Sequence, residues 1–361
     1  MRLAFLGLSA SGKTTLFNAL TGAHASVGAY SGAGTEIHIG QMKVADPRLA
    51  VIRKAFNPKT VTPAIVEVVD TPPLAVAAHE NREGNARLVA TLREAEVLVL
   101  VVRAFAAQRV PHPRGTVDPL RDLTDLQTEL VVADLDIVEK RVEKLKRNIA
   151  RGHPEPTDAK ELAALEHCKR ELDAGRPVAT VELGKEETKL LASFAFLTMK
   201  PILVVMNVGE EILRGEADRG WRERDLGGLA CLEICAEWEM EVHELAKGEQ
   251  QAYLSDVGIE EPCESRFVRT AYELMDVVTF FTCNENELRA WQLPRYSTAV
   301  EAAAAVHTDM ARGFIRAEVI AVADLKELGS VKDVRAHGKE RLEGKTGPVH
   351  DGDLIHFRFS V

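Results

Sequence analysis

The segment Gly7-Leu8-Ser9-Ala10-Ser11-Gly12-Lys13-Thr14-Thr15 combines two glycines, a lysine and hydroxyl side chains at the spacing G-x-x-x-x-G-K-T. Glycine at both ends lets the backbone curl until successive N–H groups, from Ser9 through Gly12 and on to Thr15, face a single anion at a helix N-terminus. Lys13 can reach the terminal phosphates of such a ligand, and the Thr14 hydroxyl can ligate Mg²⁺. The chemistry indicated is the binding of a nucleoside triphosphate. Asp70 ends a second apolar run, Ala64 to Val69, and a carboxylate at the edge of a neighbouring strand falls near the same metal. Two later apolar runs close on Asn207-Val208-Gly209-Glu210 and on Ala236. His112 sits in Val110-Pro111-His112-Pro113-Arg114-Gly115, a proline-rich stretch expected to be an exposed, movable loop.

The elements that must position these residues follow from the hydrophobic pattern. Leu3-Ala4-Phe5-Leu6 is a short strand feeding the glycine loop, and Leu16-Phe17 starts an amphipathic helix. Gly28 to Gly34 is a loop, Glu36 to Val44 and Ala64 to Val69 are strands, and Asn85 to Ala95 has helical spacing. The fully apolar Val97 to Val102 predicts a buried parallel strand. From Arg121 the pattern changes: Leu123, Leu126, Leu130, Val138, Val142, Leu145 and Ile149 recur at helical steps among dense charges. Gly152-His153-Pro154-Glu155-Pro156 stops that helix, and Leu162, Leu165 and Leu172 mark a second, which predicts a helical hairpin inserted into an α/β domain. Its basic cluster, Lys140, Arg141, Lys144, Lys146 and Arg147, is interleaved with acids and reads as a solvated face. Strands at Pro201 to Met206 and Leu229 to Cys235 resume the α/β domain. Beyond Phe280 a β-rich module is expected, with strands at Gly313 to Ile320 and Leu354 to Phe359 and a loop carrying Lys332, Arg335, Lys339, Arg341 and Lys345.

A chain of 361 residues predicts two or three domains. With 55 acids against 45 bases and a net charge of −10, non-specific nucleic-acid binding by the whole molecule is excluded, and any RNA contact must come from local basic patches. Cys168, Cys231, Cys235, Cys263 and Cys283 are scattered, which predicts buried free thiols. No apolar window is long enough for a membrane span, so no membrane partner and a cytoplasmic location are expected.

The same segments, taken in order with Asp46-Pro47-Arg48-Leu49, Val102-Arg103-Ala104-Phe105, Thr128-Glu129-Leu130, Ala133-Asp134-Leu135, Arg289-Ala290-Trp291, the run from His307 to Glu318, and the tail with Asp351-Gly352-Asp353, resemble the YchF group of Obg-like P-loop ATPases over nearly the whole length. The resemblance implies a GTPase-like α/β P-loop domain at 1–120 and 181–279, an inserted α-helical coiled coil at 121–180, and a C-terminal β-grasp-like TGS domain at 280–361. It implies an Mg²⁺-dependent nucleotide site in which Asn207 and Glu210 stand where GTPases carry Asn-Lys-x-Asp. Without the lysine and with a longer acid, guanine loses its paired hydrogen bonds and ATP is the expected ligand, with GTP the alternative. It also implies that His112 orients or deprotonates the attacking water. The implied partner is the ribosome or RNA, met through the TGS and coiled-coil domains by a monomer.

The chain also departs from those relatives. Ser9-Ala10-Ser11 stands for Pro-Asn-Val, and Asp70-Thr71-Pro72-Pro73 stands for D-x-A-G, whose glycine offers an N–H to the γ-phosphate. Pro73 has no N–H to offer. Gly34 stands where the relatives' switch threonine would be, with Thr35 beside it, and the stretch around His79 lacks their glycines. Binding is therefore expected to survive better than turnover. The expectation is a slow ATPase acting as a nucleotide-regulated switch on the translation machinery, against two alternatives: a sensor without appreciable hydrolysis, and a GTP-dependent Obg-type GTPase.

Overall fold

The structure, a computed structural model, describes residues 1–25, 36–74, 82–107, 110–152, 155–216, 220–221, 226–245, 248–250 and 261–360. The expected loop at Gly28 to Gly34, together with Thr35 and His79, lies outside them. The chain forms two compact units, one built from residues 2–40 and 67–263, the other from Met1, 41–66 and 264–361. Among the described residues no helix is long and apolar enough to cross a membrane.

The first unit is organised by a six-stranded sheet in the order β2-β4-β1-β5-β6-β7. Its strands are β1 (Arg2–Leu6), β2 (His38–Lys43), β4 (Ile65–Asp70), β5 (Val97–Ala104), β6 (Ile202–Val208) and β7 (Ala230–Ile234). From β4 through β1, β5 and β6 to β7 the pairing is parallel. Helices on a parallel sheet cover both faces, which is why every residue of β5, Val-Leu-Val-Leu-Val-Val-Arg-Ala, is buried. Four strands end together, so the residues that follow them share one edge: Gly7 after β1, Thr71 after β4, Phe105 after β5 and Gly209 after β6. Helix α1 (Lys13–Thr21) leaves that edge after the glycine loop, and α3 (Arg82–Glu94) precedes β5.

The helical hairpin is α4 (Pro119–Ala150) and α5 (Asp158–Asp173). The Asp118 carboxylate accepts from Arg121 N–H at 3.1 Å and Pro119 opens the helix, a start that satisfies a free amide and presets φ. Val138, Val142 and Leu145 pack on Ala164, Leu165, Cys168 and Leu172, and Arg141 holds Glu161 through two bonds of 2.6 and 2.7 Å. Fully buried Asp134 anchors the base of the hairpin by accepting from Arg93 Nη1, the Leu197 and Thr198 amides and the Thr198 hydroxyl. Lys140 and Lys146 pair with Asp136 and Glu166, which agrees with a solvated face.

The second unit does not begin near Phe280. Helix α2 (Arg48–Phe56) and strand β3 (Thr60–Thr62), inside the stretch read as nucleotide domain, fold with the C-terminal residues. The reason is long-range pairing: Thr60 to Thr62 lie parallel to Glu287 to Arg289, a register invisible to local pattern. The sheet runs β11-β10-β12-β8-β9-β3, with β8 (Val277–Cys283), β9 (Glu287–Pro294), β10 (Phe314–Ala321), β11 (Arg341–Glu343) and β12 (Asp353–Phe359). A short alanine-rich helix, Ala299–Val306, packs Ala299, Ala302 and Ala303 on Phe314, Val319, Ile355 and Phe357. The Asp46-Pro47-Arg48 motif belongs here: Asp46 and Asp351 each hold the Arg48 guanidinium at 2.7 Å, over the ring of Phe281. The expected basic loop is mostly ordered structure, with Lys332 and Arg335 in a helix at Val331–Ala336 and Arg341 in β11. Arg335, Lys339 and Arg341 are ion-paired to Glu340, Asp324 and Asp353.

Candidate nucleotide-binding site

The loop between β1 and α1 turns as its glycines predict. A Cβ on Gly7 would stand 2.4 Å from the Val101 carbonyl, and one on Gly12, whose φ is +88°, would stand 2.0 Å from Asn207 Nδ2. Ala10 adopts φ 59° without being glycine, a left-handed conformation that strains an alanine. Helix α1 starts at Gly12 with no side chain capping it and no acid in its first turn. Ser9 is exposed, whereas Ser11 is buried. Lys13 is 6 % exposed, its ammonium donating to Gly7 O at 3.0 Å and Leu8 O at 3.1 Å. Burial pulls its pKa down to about 8, against an upward pull from Asp70. Uncapped amides, a buried lysine and a helix N-terminus together make an anion cradle.

On the metal side, Thr14 donates its hydroxyl to Asp70 Oδ2 at 2.7 Å. Asp70 is buried, and its Oδ1 has no hydrogen-bond partner among the described residues, so one carboxylate oxygen is left to accept from a ligand. An all-oxygen pair of this kind fits a hard divalent cation such as Mg²⁺. No cluster of three His, Cys, Asp or Glu side chains among the described residues could hold a metal alone, so hydroxyl, phosphate and water oxygens would complete the shell. His38 Nδ1 lies 3.5 Å from Asp70 Oδ2, a neighbour that the sequence pattern did not single out. Beyond Asp70 the chain turns stiff. Thr71 donates to Phe5 O, Pro72 and Pro73 have no N–H, and the first amide after them, Leu74, is spent on Gly7 O at 3.1 Å.

Asn207 straps the site together. Its Nδ2 donates to Ser11 O at 2.9 Å and its Oδ1 accepts from Ala236 N–H at 3.1 Å, tying the ends of β1, β6 and β7 together. Ala236, the first residue of α6 (Ala236–Glu244), thus has its amide engaged within the protein. Beside this strap lies a cavity of about 670 Å³ whose walls include Gly12, Thr15, Phe105, Val110, Trp238 and Met240. Glu210, Glu211, Glu237 and Glu241 line it too, and Glu210 is paired with Arg214 at 2.6 Å. Of α6, Ala236 was singled out in the sequence but Glu237, Trp238, Met240 and Glu241 were not, although a helix following the strand at Leu229 to Cys235 would have pointed to them.

His112 is not on an exposed loop. It is 8 % exposed, its Nδ1 accepts from Arg114 N–H at 3.1 Å, and its Nε2 is 2.8 Å from Asp122 Oδ2 on the first turn of α4. Arg121 holds the other oxygen of Asp122 at 2.8 Å. Buried Arg103, at the end of β5, donates to Val110 O at 2.9 Å and lies over the Phe105 ring, fixing the approach to this segment. Proline content predicted mobility, but the buried carboxylate of Asp122 and the Arg103 guanidinium hold the segment in place. The thiol expectation needs correction as well: Cys231 is exposed because it faces outward on edge strand β7, and Cys283 is half-buried.

The family model described as "50S ribosome-binding GTPase" matches residues 2–141, and the YchF-GTPase C-terminal model, described as a protein of unknown function, matches residues 277–360. The "Ribosome-binding ATPase YchF" of Haemophilus ducreyi is 36 % identical over 363 residues, covering 100 % of this chain and 99 % of its own. The chain belongs to the YchF family. A YchF protein of the same description from Bacillus subtilis is 35 % identical, over 99 % of this chain and 98 % of its own. The solved YchF GTPase of Schizosaccharomyces pombe superposes with a TM-score of 0.82 at 25 % identity, covering 99 % of this chain and 97 % of that one. A GTP-binding protein from Pyrococcus horikoshii, 17 % identical with a TM-score of 0.62 over the full length of both, shares the fold. Within the YchF family the tight loop at Gly7 to Thr14 and the tail from Val277 are therefore parts of one architecture, the α/β P-loop fold with a C-terminal β-rich unit.

Proposed function

We propose that this chain binds ATP with Mg²⁺ at the β1–α1 loop, hydrolyses it slowly, and uses its nucleotide state to govern attachment to the ribosome. The observation that carries the reading is the buried Lys13 ammonium at a helix start that no side chain caps, in a loop that Asn207 ties to β6. In this reading the amides from Ser9 to Thr15 and Lys13 cradle the phosphates, and Thr14 and Asp70 hold the cation, which would neutralise charge on the phosphate oxygens. The base enters the cavity beside Asn207, between Phe105 and α6 side chains such as Trp238 and Met240. The glutamates around it repel phosphate and so orient the nucleotide with its charged end at Lys13. Glu210, already paired with Arg214, offers guanine a poorer acceptor for its two donors, which supports ATP over GTP. Names of relatives as ribosome-binding ATPases support the ribosome as partner and a cytoplasmic setting. Calorimetric titration of ATP and GTP, followed by co-sedimentation of the full chain with ribosomes in each nucleotide state, tests the reading. A tenfold preference for GTP would overturn the base assignment.

A second reading, a nucleotide sensor that does not turn over, is favoured by one observation: His112 lies 2.8 Å from Asp122 instead of facing the phosphates as a free base. Hydrolysis through His112 then requires that segment to release Asp122 first, which is a source of slow turnover. Phosphate release from bound ATP separates the two readings. Measurable release that vanishes in His112→Ala with binding intact supports the ATPase. Absence of release with intact binding supports the sensor.

A further inference from the structure

We propose that Arg103 is a positioning residue that replaces His112 at the Asp122 carboxylate: a nucleotide base entering the cavity turns the Arg103 guanidinium to Asp122 and sets His112 free. The inference rests on the proposed ATP-binding reading and adds to it a control, in which the base rather than the phosphates unlocks His112.

One guanidinium serves both sides of this exchange. Arg103 lies near the end of β5, level with Asn207 in the parallel register of β5 and β6, and is 2 % exposed. Its Nε donates to Phe105 O at 3.2 Å and its Nη2 to Val110 O at 2.9 Å, with the guanidinium 4.7 Å from the centre of the Phe105 ring. Phe105 and Val110 are also walls of the cavity beside Asn207, so a base that fills the cavity meets the two residues whose carbonyls hold Arg103. Two residues beyond Val110, His112 stands with Nε2 2.8 Å from Asp122 Oδ2. That contact is close but out of line: Asp122 Oδ2 is buried without a hydrogen-bond partner among the described residues, and so is Arg103 Nη1. A buried donor on a cation and a buried acceptor on a carboxylate, both unspent, are costly to leave apart. The two groups already act on each other, since burial lowers the Arg103 pKa and the Asp122 charge pulls it back up. Arg121 holds the other Asp122 oxygen at 2.8 Å and so keeps the carboxylate in place whichever partner it has. Two arrangements of the same buried groups follow. In the one observed, Arg103 is spent on the carbonyls and Asp122 faces His112. In the other, the carbonyls have shifted, Arg103 closes on Asp122, and a charge-assisted bond offsets the lost histidine contact.

The experiment follows the His112 ring by NMR in the full chain labelled with ¹⁵N-histidine, its resonances assigned through His112→Gln. With Mg²⁺ present, the cradle is filled either by inorganic tripolyphosphate, which has no base, or by the non-hydrolysable AMP-PNP. Single-turnover phosphate release from tripolyphosphate and from ATP is measured alongside, both at saturation. In the wild type the His112 resonances should move with AMP-PNP and not with tripolyphosphate, and release from ATP should be at least about tenfold faster. Arg103→Gln, which keeps an amide donor but no charge for Asp122, should lose the AMP-PNP shift and bring the two release rates within about twofold, with ATP affinity by calorimetry within about threefold. Arg103→Lys restores the charge but cannot bridge both carbonyls, and should recover the shift; a purely structural role would be lost in both variants. Wild-type resonances that respond alike to the two ligands overturn the proposal, as does equal release from ATP and tripolyphosphate. So does an AMP-PNP shift that survives in Arg103→Gln or stays lost in Arg103→Lys. In each of these cases ATP is still bound and the broader reading stands, whereas absence of ATP binding to the wild type overturns both.

Discussion

The two sides of the phosphate site differ in how their polar groups are committed. On the side of Gly7 to Thr14, helix α1 begins uncapped, Lys13 is held only by loop carbonyls, and Asp70 keeps one oxygen without a hydrogen-bond partner among the described residues. On the side that would sense and attack the terminal phosphate, Pro72 and Pro73 offer no amide, Leu74 gives its amide to Gly7, and His112 accepts from Arg114 N–H at Nδ1 and keeps Nε2 2.8 Å from the Asp122 carboxylate. A site of this kind separates holding from cutting. Lys13 and Thr14 are bonded to loop carbonyls and to Asp70 at a helix start that no side chain caps, whereas on the sensing side the amides are missing at Pro72 and Pro73 or spent at Leu74.

The comparison can be broken most directly at Lys13. Lys13→Ala removes charge-assisted bonds to the terminal phosphates and should weaken triphosphate binding about a thousandfold, roughly 4 kcal/mol. Calorimetry giving unchanged affinity would show that the loop is not the cradle. On the opposite side, His112→Ala should lower single-turnover phosphate release about a hundredfold while leaving affinity within about twofold. A parallel loss of affinity would mean that His112 serves the holding side after all. Lys13 also sets a pH dependence. Burial depresses its pKa to about 8 in the free protein, and bound phosphate must raise it again. Affinity is then flat below about pH 8 and falls by up to about tenfold per pH unit above it, until the bound-state pKa is reached. A flat profile through pH 9.5 would contradict a charged lysine at the phosphates. Pro73→Gly restores an amide on the sensing side and should raise the ratio of triphosphate to diphosphate affinity about fivefold, the worth of one hydrogen bond of about 1 kcal/mol. Smallest of all, Ala10→Gly relieves a left-handed alanine at φ 59° and should stabilise the fold by about 1 kcal/mol in denaturant unfolding.

Local chemistry was legible in the sequence. The glycine spacing announced the loop, the unbroken apolar run announced β5, and the leucine and valine steps announced α4, which ends, and α5, which begins, within a few residues of the expected break. What escaped was set by partners distant in the chain. His112 read as mobile because the prolines around it are visible, whereas the buried carboxylate that holds it belongs to the next helix. Asn207 was recognised, but its use as a strap depends on Ser11 and Ala236 arriving at the same edge. His38 gave no signal because its meaning depends on which strand lies beside β2.

The pairing of Thr60–Thr62 with Glu287–Arg289 bears on how the molecule is made. Residues 41–66 emerge early in synthesis, yet the chain they fold against starts at Glu264, after residues 67–263 have been added. At roughly 5–20 residues per second that is an interval of about 10–40 s in which an amphipathic helix and a strand have nothing to close on. The usual order, in which the N-terminal part finishes first, cannot hold for this segment, and a nascent chain stalled before its last strands should carry an early stretch still open to proteases and chaperones.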